Sequence, residues 1–172
     1  APRTTTTQYD TQGRFPISTT NALNQTETRT FDNKFGGMTG LTGPNQITTT
    51  WTYDGFGRKT NEGRADGTSS TWSYNATAGS IQGQAYRYSV TATSTGAPNV
   101  TSYFDTLNRA AVSSRVNFDG ANIFSVTEYD NLGSLKRSSR PYSSGTIYWA
   151  TPTYDLLGRV QFETNPDGST VS

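Results

Sequence analysis

The residue types that most often carry out catalysis are missing from this chain. It contains no histidine and no cysteine, which excludes Ser-His-Asp triads, thiolate nucleophiles, imidazole bases and nearly all zinc sites. A pair of carboxylates could still hydrolyse a glycosidic bond. Most aspartates, however, stand at turn positions, where a carboxylate bonds backbone N–H groups. We therefore expect no enzyme, no catalytic residue and no cofactor. The aspartates at turn positions are Asp10, Asp32, Asp54, Asp66, Asp105, Asp119, Asp130, Asp155 and Asp167.

The spacing of the remaining carboxylates does not match that of a metal-binding site. Glu27, Glu62, Glu128 and Glu163 are isolated along the chain, and solvated strand faces account for them. Calcium needs several converging oxygen ligands, as in closely spaced Asp-x-Asp runs. This sequence has one aspartate per turn instead, so we expect no bound metal.

Aromatic side chains are the next candidates for a ligand-binding surface. Trp51, Trp72 and Trp149 could form a platform for glycans. Nearby tyrosines that could extend it are Tyr86, Tyr88, Tyr142 and Tyr148. The same rings could instead pack the sheet, where a cross-strand aromatic pair contributes about 0.2–1 kcal/mol. Packing is the favoured interpretation, and the glycan platform stays open as an alternative.

Four regularly placed arginines, Arg14, Arg58, Arg109 and Arg159, could form a ladder for an anionic ligand. Alternatively, each could stack on a tyrosine or bond an aspartate of the array. The second interpretation is favoured because the arginine spacing follows the repeat itself. Ser134 also takes the arginine's place in one copy, which a scaffold tolerates more easily than a binding ladder.

These arginines belong to a motif that recurs along the chain. Full copies read Tyr-Asp-x-x-Gly-Arg and start at residues 9, 53 and 154, and looser copies start at 31, 104 and 129. The starts at 9, 31 and 53 are 22 residues apart, and those at 104, 129 and 154 are 25 apart. A fixed period of this length indicates stacked units that bury their apolar faces against one another. The motif residues are Tyr9, Asp10, Gly13, Arg14, Phe31, Asp32, Tyr53, Asp54, Gly57, Arg58, Phe104, Asp105, Arg109, Tyr129, Asp130, Gly133, Tyr154, Asp155, Gly158 and Arg159.

Each motif predicts a tight turn. Aspartate at the first position bonds the backbone two residues on, and glycine at the fourth supplies a positive φ. At Asp105 the fourth residue is Asn108, the next-best choice for a left-handed conformation. A second set of turns, such as Asn165-Pro166-Asp167-Gly168, falls between the motifs. We therefore expect each repeat to contain two turns and two strands of about seven to nine residues.

Alternating sequence patterns indicate antiparallel strands. Residues 46–53 place Ile47, Thr49, Trp51 and Tyr53 on one face, and residues 86–93 alternate in the same way. The fold class predicted is all-β, an array of antiparallel hairpins that forms a curved sheet or a wall section of a hollow β-shell. We expect one array of about seven hairpins over residues 1–172. It is irregular around 36–45, interpreted as a loop, and around 75–100, where the seventh hairpin has a lengthened turn.

The recurrent Tyr-Asp-x-x-Gly-Arg motif, with Asp-Gly turns between its copies, resembles the YD repeat. That repeat characterises Rhs proteins, the C components of bacterial Tc toxins, and the teneurins. The resemblance covers the chain from Tyr9 to Gly168. It implies a sheet of hairpins that spirals into a hollow shell. In the toxin members the shell encloses a toxin, and in the teneurins a similar barrel supports adhesion.

The sequence departs from the toxin members in one respect. Their shells close with a segment rich in Asp-Pro-x-Gly and Asn-Pro motifs, which carries the aspartates that release the toxin by self-cleavage. Here Asn165-Pro166-Asp167-Gly168 has the pattern of an ordinary repeat turn. Self-cleavage, a toxin domain and a cap are therefore not assigned. The exposed edges of such a sheet predict a fragment of a longer chain, or identical chains that cover the edge strands.

The composition also limits the classes of partner that the chain could bind. The net charge is +1, whereas nucleic-acid binding needs clustered basic residues. No apolar run is long enough to span a membrane. A threonine- and asparagine-rich array without cysteine is typical of bacterial secreted or cell-surface proteins. The leading hypothesis is a wall section that encloses a toxin. The alternatives are an adhesive or fibre-forming array and a carbohydrate-binding module.

Overall fold

A computed structural model describes residues 3–171 of the chain. All regular elements in that range are β-strands, which confirms the all-β prediction. Threonine and aromatic residues fill many strand positions because their side chains suit a pleated surface. The strands are β1 (Thr6–Tyr9), β2 (Pro16–Thr20), β3 (Thr26–Phe31), β4 (Met38–Thr42), β5 (Thr48–Tyr53), β6 (Lys59–Gly63), β7 (Ser69–Asn75), β8 (Gly79–Ile81), β9 (Gln84–Tyr86), β10 (Tyr88–Ser94), β11 (Ala97–Phe104), β12 (Ala110–Val116), β13 (Asn122–Tyr129), β14 (Leu135–Ser139), β15 (Trp149–Tyr154), β16 (Val160–Thr164) and β17 (Thr170–Val171).

The strand order follows the chain. Fifteen strands pair in the order β1 to β7 and then β10 to β17, while β8 and β9 form a two-stranded sheet of their own. The strands pair in antiparallel fashion, as in β1–β2, β5–β6, β11–β12 and β12–β13. β1 and β17 stand at the two ends of this order, so the sheet is open within the described residues. No helix among residues 3–171 is long and apolar enough to cross a membrane.

Contacts along the chain divide it into two compact units. Unit 1 comprises residues 3–72 and 93–96, and unit 2 comprises residues 73–92 and 97–171.

Unit 1 is a run of short hairpins. Its strands β1 to β6 have four to six residues, so the expected length of seven to nine is wrong for them. The reason is that the turns take more of each repeat than expected. The aspartate turn is followed by a register shift next to the motif aromatic, as at Tyr9 and Tyr53, and this bulge uses an additional residue.

The segment interpreted as a loop around residues 36–45 contains β4, so that prediction is wrong. Its glycines make room for side chains of neighbouring strands rather than for a loop. A Cβ on Gly37 would lie 2.8 Å from the Cζ atom of Tyr53, and one on Gly40 would lie 2.6 Å from the Oγ1 atom of Thr30. Glycine in a strand often marks such a close approach.

The irregular region around 75–100 holds a hairpin with an insertion. The Thr95 N–H donates to the Ser69 carbonyl at 2.9 Å, and the Ser70 and Ser94 hydroxyls bond at 2.8 Å. Between them, β8 and β9 form the separate two-stranded sheet. The expectation of one alternating strand over residues 86–93 is wrong, because Tyr86 ends β9 and Tyr88 begins β10.

Unit 2 contains a small dry core. Ala111 and Val112 of β12 and Val126 of β13 are buried together. Half-buried residues pack around them, including Ile81 at the end of β8. The Tyr86 ring lies 4.9 Å from the Tyr103 ring, centroid to centroid. The inserted hairpin thus supplies part of the core.

Candidate functional site

The motif turns share one hydrogen-bonding pattern, seen clearly in the last copy. Asp155 Oδ1 accepts the N–H groups of Leu157 at 2.8 Å and Arg159 at 2.9 Å. Asp155 Oδ2 accepts the Nε–H of Arg159 at 2.6 Å. Gly158 donates its N–H to the Asp155 carbonyl at 3.0 Å and has a φ of 76°. The backbone N–H and the guanidinium of Arg159 lower the pKa of Asp155.

Other copies repeat the pattern with small variations. In the turns at Asp10, Asp54 and Asp105, burial raises the pKa of the carboxyl, but the bonds from the arginine four residues later and from a second backbone N–H of the turn together outweigh it, and the net shift is downward. Gly13, Gly57 and Gly133 have the positive φ expected for the fourth position, and so does Asn108. The turn at Asp32 is one residue longer, because there the Gly36 N–H donates to the Asp32 carbonyl.

The motif tyrosines connect consecutive repeats. The Tyr53 hydroxyl donates to the Met38 carbonyl at 2.7 Å, and the Tyr154 hydroxyl donates to the Leu135 carbonyl at 2.8 Å. Met38 and Leu135 each stand opposite the aromatic residue of the preceding motif. Each of these tyrosines therefore bonds to the first residue of a strand in the repeat before its own.

In two of the motif turns, a residue at the end of the turn lies near the next motif aromatic. Phe15 stacks on Phe31 with ring centroids 4.9 Å apart. The Arg109 guanidinium carbon lies 4.2 Å from the centroid of Tyr129 while its nitrogen pairs with Asp105 at 2.7 Å. In this part of the repeat the arginine acts within the scaffold, which argues against a ladder for an anionic ligand.

Glu62 of β6 is the centre of a polar cluster in unit 1, so its interpretation as an isolated residue is wrong. It accepts the indole N–H of Trp51 at 3.0 Å and pairs with Lys59 at 3.3 Å and Arg64 at 2.9 Å. The Trp51 bond lowers the pKa of Glu62, and the two cations add to this. The Lys59 ammonium also lies 5.7 Å from the Trp51 ring and 5.3 Å from the Trp72 ring.

Glu128 is the centre of the corresponding polar cluster in unit 2, and its interpretation as isolated is also wrong. Arg137 donates to its two carboxylate oxygens at 2.8 and 2.7 Å. These bonds lower the pKa of Glu128. The Arg137 guanidinium carbon lies 3.9 Å from the Trp149 ring centroid. In both units, therefore, cations lie over tryptophans proposed for a glycan platform, and that platform remains a prediction.

One face of unit 1 is covered by small neutral side chains, and we call it the hydroxyl face. Strand register places sixteen residues on it, twelve of which are threonine or serine. Many have neighbouring hydroxyls as partners, as in the Thr20–Thr26 and Thr42–Thr48 bonds, both 2.8 Å long. The residues are Thr6, Gln8, Ser18, Thr20, Thr26, Thr28, Thr30, Gly40, Thr42, Thr48, Thr50, Thr52, Asn61, Gly63, Ser69 and Thr71.

The opposite face of unit 1, which we call the charged face, carries the ionised strand residues. Arg29 donates to Thr19 Oγ1 at 3.0 Å and also pairs with Glu27. The Glu62 cluster lies on the same face, because Trp51 stands opposite Glu62 in the register. The sheet of unit 1 therefore has charged side chains on one face and a nearly continuous set of hydroxyl groups on the other.

Sequence reasoning recognised two faces along residues 46–53 but did not extend the separation to the other strands of unit 1, although its signal is present there. Residues 26–30 read Thr-Glu-Thr-Arg-Thr, and residues 48–52 read Thr-Thr-Thr-Trp-Thr. Threonine at every second position marks one face of a strand. Among the described residues, no group of three or more carboxylates could hold a metal ion.

Comparison with known proteins identifies the fold. No protein-family model matches the chain, and no curated protein matches its sequence. Solved structures do match. A crystal structure of TcdB2–TccC3 without the hypervariable C-terminal region aligns with a TM-score of 0.74 and 13% identity, and the match covers 96% of this chain and 14% of that one.

Two further structures give the same result. The crystal structure of TcdB2–TccC3–TEV aligns with a TM-score of 0.71 and 13% identity, over 96% of this chain and 14% of that chain. A Photorhabdus luminescens Tc holotoxin pore with a mutation in TccC3 aligns with a TM-score of 0.65 and 16% identity, over 96% and 9% of the two chains. At these identities the likeness shows a shared fold, which is that of a segment of Tc toxin chains.

Proposed function

We propose that this chain is a wall section of an Rhs-type shell that encloses a polypeptide toxin. The observation that carries the proposal is the match of 96% of the chain to a small part of Tc toxin chains. The repeated Tyr-Asp-x-x-Gly-Arg turns support the same assignment. The role is structural, with no catalytic residue, cofactor or metal. We propose secretion or display at a bacterial surface, with the rest of a longer chain as the partner of the edge strands.

The hydroxyl face is proposed to point towards the enclosed polypeptide. The sixteen residues that strand register places on it include no charged residue and no large apolar side chain, so they provide neither ion pairs nor hydrophobic anchors that would hold a cargo tightly. The charged face suits bulk water, because ionised groups are costly to remove from water. A weakly binding inner surface allows a cargo of any sequence to be held and later released.

The first test is the mass of the protein isolated from its source. A denatured intact mass well above 18.7 kDa, or co-purification with the clipped remainder of a longer chain, is the result we expect. A ladder of identical units in native mass spectrometry would instead favour the fibre. A lone stable monomer would contradict both kinds of assembly.

The second test uses two adjacent threonines on opposite faces of β5. Thr50 lies on the hydroxyl face and Thr49 on the charged face. A photoreactive phenylalanine analogue replaces one or the other in the complete gene product, and the covalent adducts are identified by mass spectrometry. Thr28 of β3, on the hydroxyl face, and Thr19 of β2, on the charged face, provide a second pair.

We expect cargo adducts from positions 50 and 28 and few from 49 and 19. Adducts from positions 49 and 19 alone would show that the charged face, not the hydroxyl face, points towards the cargo, and would still support encapsulation. Absence of cargo adducts at all four positions would contradict encapsulation itself.

A further inference from the structure

We infer that a groove in unit 2 binds a polypeptide segment in which a carboxylate stands next to an apolar side chain. The groove has a cavity volume of about 540 Å³ and lies beside the turn between β12 and β13. Its lining includes the apolar residues Pro98, Val116, Phe118 and Ile123. The inference is independent of the proposed shell, because it rests on this groove alone.

A cation without an ion-pair partner stands in this apolar setting. Arg115 lines the groove, and its neighbours across the sheet are Val100 in β11 and Ile123 in β13. Within residues 3–171, the Arg115 side chain forms no ion pair. An arginine recognises a carboxylate through two parallel N–H donors. The groove therefore has an unused donor set for an anionic group.

The turn at residues 117–121, next to the groove, carries the exposed aromatic ring of Phe118. Gly120 donates to the Asn117 carbonyl at 3.1 Å, and Asn117 donates to the Ala121 carbonyl at 2.8 Å. Asp119 Oδ1 accepts the Ala121 N–H at 2.9 Å, so that oxygen is bound within the turn. Phe118 is fully exposed, with a relative exposure of 106%. An exposed ring next to a concave apolar surface offers a partner a large apolar contact.

The combination selects the class of ligand. A small inorganic anion would use Arg115 but none of the apolar lining. A purely apolar ligand would cover the guanidinium and leave it without a partner, which costs free energy. A peptide with an acidic residue beside an aromatic or aliphatic one satisfies both parts. Asn99 and Asn117, which also line the groove, supply amides that can bond a peptide backbone.

The experiment uses the 172-residue chain and two peptides that differ in one charge. Acetyl-Phe-Glu-amide is the probe, and acetyl-Phe-Gln-amide is its neutral counterpart. Binding is followed by the ¹H–¹⁵N resonances of Asn117, Phe118 and Ile123. We expect saturable shifts with the acidic peptide and a dissociation constant about three- to fivefold higher for the neutral one, since a partly exposed ion pair contributes up to about 1 kcal/mol.

Variants assign this difference to Arg115. Arg115→Gln is expected to make the two peptides bind equally, whereas Arg87→Gln, at another exposed arginine of unit 2, leaves the difference intact. Phe118→Ser is expected to raise the dissociation constants of both peptides by the same factor. Because these side chains are exposed, the remaining resonances of each variant should overlay those of the parent chain. No saturable shift, equal binding of both peptides to the parent chain, or the same loss in Arg87→Gln would overturn the inference.

Discussion

Units 1 and 2 are built from the same hairpins but are stabilised in different ways. In unit 2, Ala111, Val112 and Val126 are buried together under half-buried aromatic rings. Among the described residues of unit 1, no apolar side chain reaches that degree of burial. Unit 1 relies instead on its turns, on cross-strand hydroxyl bonds and on rings and ion pairs over the charged face. The comparison shows that this repeat forms a sheet with or without a dry core.

The inserted hairpin accounts for part of the difference. β8 and β9 interrupt the repeat, and Ile81 packs against the buried cluster of β12 and β13. A sheet with one face covered can exclude water there, whereas an uncovered sheet has two hydrated faces. We therefore expect the units to respond differently to the same kind of mutation.

The largest expected effect is the loss of the unit 2 core. Val126 is 1% exposed, and Val126→Ala should lower the free energy of unfolding by about 2–3 kcal/mol, through lost burial and the cavity left behind. Leu41→Ala in β4, where the side chain is half-buried, should cost only about 1 kcal/mol. Urea unfolding, with hydrogen exchange followed separately in each unit, measures both. Equal costs would contradict the distinction between the units.

A glycine substitution tests the close packing of unit 1. Gly37→Ala would place a Cβ 2.8 Å from the Tyr53 ring, and we expect a loss of about 1–2 kcal/mol from overpacking. Gly55→Ala is the matched control, because its Cβ meets nothing within 4 Å. It should be neutral or stabilise by up to about 1 kcal/mol. The interpretation fails if both variants unfold at the same urea concentration.

Acid should weaken both units and open unit 1 first. The folded pKa values of Asp54 and Glu62 in unit 1, and of Glu128 and Asp155 in unit 2, are lowered. Groups with a depressed folded pKa contribute stability above their unfolded pKa of about 4, and it is lost as the pH falls through the folded values. Hydrogen exchange from pH 5 to about 2.5 should show unit 1, which lacks a dry core, losing protection before unit 2.

A variant makes the acid test specific. Glu62→Gln removes one of the carboxylates with a lowered pKa, so the protection of unit 1 should depend less on pH than in the parent chain. Simultaneous opening of both units, or protection that does not change with pH, would count against this account.

The smallest expected effect comes from restoring the missing motif arginine. Ser134→Arg should place a guanidinium between Asp130 and Tyr154, as Arg109 lies between Asp105 and Tyr129. We expect a gain of about 0.5–1 kcal/mol in unit 2, reduced in 1 M salt by screening. Ser134→Met is the uncharged control of similar length, and an equal gain from it would show that charge is not involved.

Turns were the most predictable part of the fold. The bonds of Asp155 all lie within the next four residues, so the local sequence contains both partners. The same holds for the turn at Asn165-Pro166-Asp167-Gly168, where Gly168 donates to the Asn165 carbonyl at 2.9 Å. Local chemistry of this kind can be recognised from residue types and spacing alone.

Several of the errors concern contacts between residues distant in sequence. Gly37 and Gly40 suggest a loop until Tyr53 and Thr30 are known to lie against them. The interpretation of Glu62 as isolated failed because Trp51 stands in the neighbouring strand, eleven residues away. The groove at Arg115 has no motif at all, since strand pairing brings its lining together. Pairing register decides these features, and a single sequence specifies register only weakly.

The turn aspartates have a consequence for how such a chain forms and changes. Because each motif closes its own turn, and each strand except at the insertion pairs with its neighbours in the chain, folding can proceed hairpin by hairpin as the chain is synthesised, without long loops to close. The same locality lets a hairpin be gained or lost with little disturbance to the others. β8 and β9 show that the array also accommodates an additional two-stranded segment between two paired strands, β7 and β10. The length of such a protein can therefore vary while its local chemistry stays the same.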